Sequence, residues 1–310
     1  MLTLCAAALF ASLPQEDSRP WALVTGASSG IGAALAHEAA AKGFNTILVA
    51  RRRPRLEDLA DELHAVHGAR SLIIQADLAS AIGLTSVHNA AAKLDGRLEL
   101  LILNAGICPS PSDFALQSVD ADLQPVVDLN VVANMALLQR IGASLATQGS
   151  GRVLIVASSA GAAPGVPGVA AYAASKAFLR SLAAGAGVEL RRSGVTVTCA
   201  MPGAVDSEFA SKSGLEASAV FTLPGVRKVG GVVLSANLAA KQMLAAALRG
   251  QREIVPGLLP RLYVGLSDRR MLPVGLSRSI AAFSFGAVPK VRRGVLSGFG
   301  RTRLLKSREY

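Results

Sequence analysis

The chain lacks the residues that would build a metal centre or a disulfide scaffold. Its cysteines, Cys5, Cys108 and Cys199, are odd in number and have no ligand spacing. That excludes a disulfide framework, agrees with a reducing compartment, and leaves each thiol as small buried filler. The histidines, His37, His64, His67 and His88, fall on expected helices without clustering, and none receives a role. A membrane-spanning run is also missing. The apolar start (Leu2, Leu4, Leu9, Phe10) is too short to cross a bilayer and has no basic segment before it, so a flexible start is the default and a membrane or organelle address the alternative. The uncharged stretch from Val153 to Ser175 is interrupted by Gly161, Pro164, Gly165, Pro167 and Gly168, and reads as strand plus loop. Finally, acidic residues are scarce in the tail. The formal charge is +11, yet Met1 to Leu248 holds 19 basic against 18 acidic residues, whereas Arg249 to Tyr310 holds 13 against 3. A basic tail with Arg292, Arg293, Arg301, Arg303, Lys306 and Arg308 among Gly and Ser reads first as a solvated extension. An anionic membrane surface is its leading partner, and nucleic acid is disfavoured.

What is present is chemistry of a different kind. Tyr172 and Lys176 stand four residues apart in Tyr-Ala-Ala-Ser-Lys, so a helix puts phenol and ammonium on one face. A free phenol titrates near pH ~10, and a neighbouring cation is expected to draw that value down and make the group a useful proton partner. Ser159 follows the apolar strand Val153-Leu154-Ile155-Val156, at the strand end where open α/β sheets bind ligands. Trp21 to Val24 reads as a strand that enters Thr25-Gly26-Ala27-Ser28-Ser29-Gly30-Ile31-Gly32 and then a helix. Such a turn bares backbone N–H groups toward a diphosphate. Its glycine spacing departs from Gly-x-Gly-x-x-Gly, so spacing alone leaves dinucleotide binding open.

Taken together, these residues resemble the short-chain dehydrogenase/reductase family in its common type, over roughly residues 20 to 257. Thr25 to Gly32 looks like the family's cofactor turn, Asp77-Leu78 its adenine-side pair and Asn104-Ala105-Gly106 its sheet-stabilising motif. The resemblance implies a catalytic tetrad of Asn130, Ser159, Tyr172 and Lys176. It also implies a nicotinamide border at Pro202-Gly203-Ala204-Val205-Asp206-Ser207, where Ser207 replaces the usual threonine and keeps the hydroxyl. By the same resemblance, Gly26, Ser28, Ser29, Gly30, Ile31 and Gly32 hold the cofactor, Lys176 binds its ribose, and Asn130 holds a water that links Lys176 to solvent.

The pattern of the chain agrees with an α/β, doubly wound Rossmann-type domain. Seven apolar strands alternate with helices, including helices over Val126 to Ala146 and Tyr172 to Arg192, which argues for a mainly parallel sheet covered on both faces. The organisation is an N-terminal extension (1–19), a catalytic domain (20–257) with a lid near 208–230, and a basic extension (258–310). The second strand ends Val49-Ala50-Arg51-Arg52-Arg53, with no acidic residue before Glu57. A carboxylate there would suit a ribose 2′-hydroxyl, whereas arginines suit a 2′-phosphate, so NADP(H) is expected, with Arg51 the chief contact and Arg52 the second.

The expected reaction is reversible hydride transfer between NADP(H) and a carbonyl or secondary alcohol. Tyr172 would give the proton, and Ser159 would stabilise the oxygen. Apolar lid residues Leu215, Val220, Phe221 and Leu223 suggest a lipid-like substrate. The stretch from Pro256 through Leu272 could close that pocket, lie on a membrane or form an oligomer contact. Alternatives are an NAD-dependent alcohol dehydrogenase, which the arginines oppose, and a non-catalytic nucleotide sensor, which needs no proton donor. A cytoplasmic protein with possible peripheral membrane contact is expected. The resemblance also implies a homodimer or homotetramer paired through the two long helices.

Overall fold

A computed structural model describes residues 18–222 and 232–285. The apolar start, lid residues Leu223 and Val229, and the basic tail from Arg292 onward lie outside the described residues.

The strands are β1 (Trp21–Thr25), β2 (Asn45–Ala50), β3 (Ser71–Gln75), β4 (Leu98–Leu103), β5 (Gly151–Val156), β6 (Val195–Ala200), β7 (Ala204–Asp206), β8 (Val233–Ser235) and β9 (Glu253–Ile254). Seven of them form one sheet in the order β3-β2-β1-β4-β5-β6-β9, and every pairing is parallel. Alternate side chains leave opposite faces of a strand, and here both sets are apolar. Leu23, Ile47, Leu101, Val153 and Ile155 pack on one side, while Val24, Leu48, Leu100, Ile102 and Leu154 pack on the other. Neither face can meet water, so helices must cover both.

The first cover consists of α3 (Ala81–Ala92), α4 (Asn134–Gln148) and α5 (Ala170–Arg191), through Val87, Leu137, Ile141, Leu145 and Leu179. The second consists of α1 (Gly30–Ala41), α2 (Arg53–His67) and α8 (Ala236–Leu248), through Leu35, Leu56, Leu63, Met243 and Leu244. Strand order reverses between β1 and β4, which opens a crevice at their C-terminal ends.

Three features depart from the pattern of the sequence. The helix expected over Val126 to Ala146 is regular only in α4. Before it the chain winds wider, as π-helix at Val119–Leu123 and Val127–Ala133, a geometry that often marks functional sites. β7 and β8 add a small parallel pair beside the crevice. Between them come the short helices α6 (Glu208–Lys212) and α7 (Ala219–Thr222). After β9 the chain forms two further helices, α9 (Leu258–Asp268) and α10 (Val274–Phe285). Among the described residues no helix is long and apolar enough to cross a membrane.

Arg180 of α5 fastens this last pair. Its guanidinium donates to Glu253 at 2.8 and 3.0 Å and to Asp268 at 2.7 and 2.6 Å. Replacing it with leucine leaves two carboxylates facing each other without a cation. Because the network is partly solvated, Arg180→Leu is expected to lower unfolding free energy by about 2 kcal/mol. It should also expose the chain beyond Glu253 to limited proteolysis. Unchanged cleavage and unchanged denaturation would show that the pair is held by other contacts.

Candidate active site

The crevice floor is built by the end of β1. Thr25 Oγ1 accepts from the backbone N–H of Asn104 at 2.9 Å and of Ala105 at 3.1 Å, and donates to the Ile102 carbonyl at 3.2 Å. The Asn104 side-chain amide donates to the Thr25 carbonyl at 3.0 Å, which locks β4's exit to β1's. Gly26 and Gly32 are steric necessities. A Cβ on Gly32 would lie 2.1 Å from the Gly26 carbonyl oxygen, and Gly26 itself has φ +68. Gly30, with φ +57, opens α1. No side chain caps that N-terminus and no acidic residue lies in its first turn, so its N–H groups face the crevice ready for an anion. A diphosphate fits these residues: the glycines leave a cradle that a Cβ would fill.

Ser28, Ser29, Ala50, Arg51, Asp77 and Leu78 line the outer arm of the crevice, on the side of β2 and β3. The two arginines differ in commitment. Arg52 donates to Ser29 Oγ at 2.9 Å and Ser28 Oγ at 3.1 Å, and pairs with Glu208 at 2.7 and 3.0 Å. Through these hydrogen bonds from Arg52, Lys212 and Ser29, Glu208 is held well below the usual carboxylate range. Arg51 is exposed at the same rim, and no hydrogen bond or ion pair of its side chain is seen among the described residues. The sequence places the arginines but not Glu208, which reaches Arg52 from more than 150 residues away.

The inner arm gathers the titratable pair Tyr172 and Lys176. Gly106, Ser158, Tyr172, Lys176, Gly203 and Ser207 surround it, joined by Ile31, Pro202 and Val205. Tyr172 and Lys176 are both buried, and the Lys176 ammonium lies 5.7 Å from the Tyr172 ring centroid while donating to the Val156 carbonyl at 3.0 Å. The expected acidification of the phenol is not found. Burial raises the Tyr172 pKa above its ordinary value, Cys108 adds to the rise, and a hydrogen bond with Ser158 offsets part of it. Burial also lowers Lys176 to about 8, which weakens it as a stabilising cation. The Cys108 thiol, pushed up to about 12 by burial, is inert.

Ser159 is buried at the wall between this arm and a neighbouring cavity, which it lines with Val220, Pro260 and Tyr263; its hydroxyl lies 3.9 Å from where a Cβ on Gly203 would stand, and its backbone N–H donates to the Pro202 carbonyl at 2.9 Å. Ser158, one residue earlier, is the serine beside Tyr172. The strand ends at Val156 and the chain turns at once into a 3-10 helix, Ser159–Ala162. A spacing count across that turn cannot tell adjacent hydroxyls apart. Asn130 sits in the π-helical stretch, and its side chain is fully committed. It accepts from the Ile107 N–H at 2.8 Å and donates to the Ile107 carbonyl at 2.9 Å and to Ser175 Oγ at 3.0 Å. It thereby ties the loop after β4 to α5.

Comparison with known proteins gives the same picture. The family described as short chain dehydrogenase matches residues 20–217. A very-long-chain 3-oxoacyl-CoA reductase of Phaeosphaeria nodorum is 34% identical over 182 residues, covering 58% of this chain and 53% of that protein. The chain therefore spans about half the length of that curated relative. Among solved structures, a short-chain dehydrogenase from Sphingobium yanoikuyae in complex with NADPH superposes with a TM-score of 0.70 at 30% identity, over 81% of this chain and 94% of that one. The bulky-bulky ketone specific alcohol dehydrogenase from Comamonas testosteroni gives a TM-score of 0.67 at 30% identity, over 84% and 94%.

The lowered Lys176 pKa has a measurable sign. Between about 8 in the folded chain and ~10.4 in the unfolded chain, the unfolded state binds more protons, so folding stability attributable to this group rises with pH. The stability difference between wild type and Lys176→Met is expected to move in favour of wild type across that window and to be flat below it. A difference independent of pH in denaturant titrations would refute the burial account.

Proposed function

Because the chain belongs to the short-chain dehydrogenases, we propose that it is an NADP(H)-dependent oxidoreductase that interconverts a carbonyl and a secondary alcohol on an apolar, lipid-like substrate. The observation that carries this reading is the buried Tyr172 side chain, with Ser158 and Lys176 beside it, at the inner end of a crevice that opens on an uncapped helix N-terminus. A protein that merely bound a nucleotide would have no use for a proton donor sealed from water. Relatives support the reading: one solved neighbour is in complex with NADPH, another is a bulky-bulky ketone specific alcohol dehydrogenase, and one curated relative is named a very-long-chain 3-oxoacyl-CoA reductase.

Bound NADP(H) would supply or accept the hydride. Gly26 to Gly32 would hold its diphosphate, Asp77 and Leu78 its adenine side, Asn104 to Gly106 and Pro202 to Ser207 its inner half, and Lys176 its ribose. Arg51 is the better candidate for a 2′-phosphate, because among the described residues its side chain has no partner whereas Arg52 is already paired with Glu208.

In reduction, Tyr172 gives its phenolic proton to the oxygen as charge develops there, and Ser158 donates a second hydrogen bond to the same oxygen. Burial raises the Tyr172 pKa, so the phenol holds its proton at neutral pH and has one to give. Lys176 stands behind the phenol as the group through which the proton is replaced. Since the Asn130 side chain is committed, a relay water would share its backbone carbonyl, which also accepts from the Asn134 side-chain amide at 3.1 Å. Phe209, Leu215 and Phe221 give the substrate side an apolar wall. Self-association through α4 and α5 belongs to the same reading, since their outer faces carry exposed Met135, Phe178 and Val188.

Tyr172→Phe is expected to cut turnover on ketones by about 10²- to 10⁴-fold while leaving NADPH affinity nearly intact. Ser158→Ala should cost ~10²- to 10³-fold, with a smaller loss for Ser159→Ala. If the two serine variants exchange these effects, the oxygen is held by Ser159 after all. For the cofactor, titration calorimetry with NADPH and NADH is the direct test. Arg51→Asp should weaken NADPH by ~10- to 100-fold and spare NADH. Equal affinity of wild type for the two nucleotides would end the NADP(H) assignment.

A further inference from the structure

Behind the inner arm of the crevice lies a second cavity, the one that Ser159 faces. Val220, Leu259, Ile280 and Ala281 give it apolar walls, and Tyr263 lies along one side. It shares Gly203, Ala204 and Ser284 with the active-site cavity, so the two chambers meet at the nicotinamide-bordering segment on one side and at α10 on the other. Most of its wall comes from α9 and α10, which lie beyond the residues matched by the family.

This roof is built into the fold. Pro260 packs directly on Gly203: a Cβ at position 203 would lie 2.8 Å from Pro260 Cγ, so glycine there is what lets α9 seat against the site. The Tyr263 hydroxyl reaches Ser277 at 3.3 Å, and Ser267 reaches the same Ser277 hydroxyl at 3.2 Å, joining α9 to α10. Ser218 Oγ donates to the Ser284 carbonyl at 3.3 Å, joining α10 to the segment before α7. Arg180 anchors the far end of α9 to the sheet through Asp268 and Glu253. Ser277, Val264 and Ala281 are buried in this packing. Among the described residues the cavity's lining carries no charged side chain: with the Tyr263 hydroxyl already bonded, the polar side chains that remain are Ser159, at the end toward Gly203, and Ser284.

Resting on the proposed carbonyl chemistry, we infer that this second chamber seats the hydrocarbon tail of the substrate. In that arrangement the reacting carbonyl lies at Tyr172 and Ser158, and an unbranched alkyl chain on its carbon runs past Gly203 and Ser284 beneath α9 and α10. The C-terminal helix pair thus sets chain-length preference, and Ile280 and Ala281 set the depth.

The test is a series of methyl ketones from butanone to dodecanone, with Kd measured by calorimetry on the NADP-loaded protein and kcat/KM measured in parallel. In wild type each added methylene should tighten binding by about fourfold until the chamber is filled. Ala281→Phe should halt that gain at a shorter chain, and Ile280→Ala should extend it to a longer one. If Ala281→Phe fails to fold, as a thermal melt would report, Ile280→Ala decides alone. A chain-length profile identical in wild type and Ile280→Ala, or no dependence on length at all, overturns the inference. Length-dependent binding that responds to the variants without any turnover would instead sink the oxidoreductase reading and leave the tail chamber standing.

Discussion

The constraint on which the site depends is the close approach of backbone at the ends of β1 and β4. With the Gly32 Cα direction aimed 2.1 Å from the Gly26 carbonyl oxygen at Cβ distance, no side chain can exist there, and the Asn104 amide fills the remaining gap. That packing brings the first turn of α1 hard against the sheet, so its unpaired N–H groups open at the strand-order reversal rather than to bulk water. Thr25 adds the register lock, since one hydroxyl satisfies Asn104, Ala105 and Ile102 at once. Everything inward of this point inherits its position. Gly106 follows directly from Asn104, and a Cβ there would crowd the Asn130 carboxamide at 3.1 Å and the Lys176 ammonium at 3.3 Å. The cradle for an anion and the platform for proton transfer are two consequences of one tight crossing.

The sequence was legible wherever a local pattern was dictated by burial. Parallel strands enclosed on both faces are largely apolar along their length, and all seven strands of the main sheet fall where apolar runs placed them, within a residue or two. Glycines that no other residue can replace were equally visible. The role of each hydroxyl within the Ser158-Ser159 pair was not, because it depends on how the chain leaves β5 for the 3-10 turn at Ser159–Ala162. The Tyr172 environment was misjudged for a related reason. Spacing brings a cation near, but desolvation of both groups is a tertiary property, and here it outweighs the charge.

Glu208 and the C-terminal helices illustrate a second limit. Ion pairs across a long stretch of chain carry no periodic signal, so the sequence offers Arg52 as a second phosphate contact, whereas in the fold Glu208 occupies it. α9 has an apolar stripe, yet a stripe by itself fits a pocket roof, a membrane or a partner equally well. Only the contacts of Pro260 with Gly203 and of Asp268 with Arg180 assign it to this chain's own interior.

These two surprises bear on one another through geometry. α6 begins at Glu208, directly after Ser207, and its acidic first residue is drawn outward to Arg52 at the cofactor rim, while Phe209, next along the helix, turns inward to lie 6.0 Å from the Tyr172 ring. Adjacent residues of one short helix therefore touch the phosphate end and the proton-transfer end of the crevice. On the opposite side, Gly203 carries both the cofactor border and the seat of Pro260. The site thus divides into a wall tied to the sheet by Arg180 and a short helix fastened to the crevice rim by Glu208, which pairs with both Arg52 and Lys212.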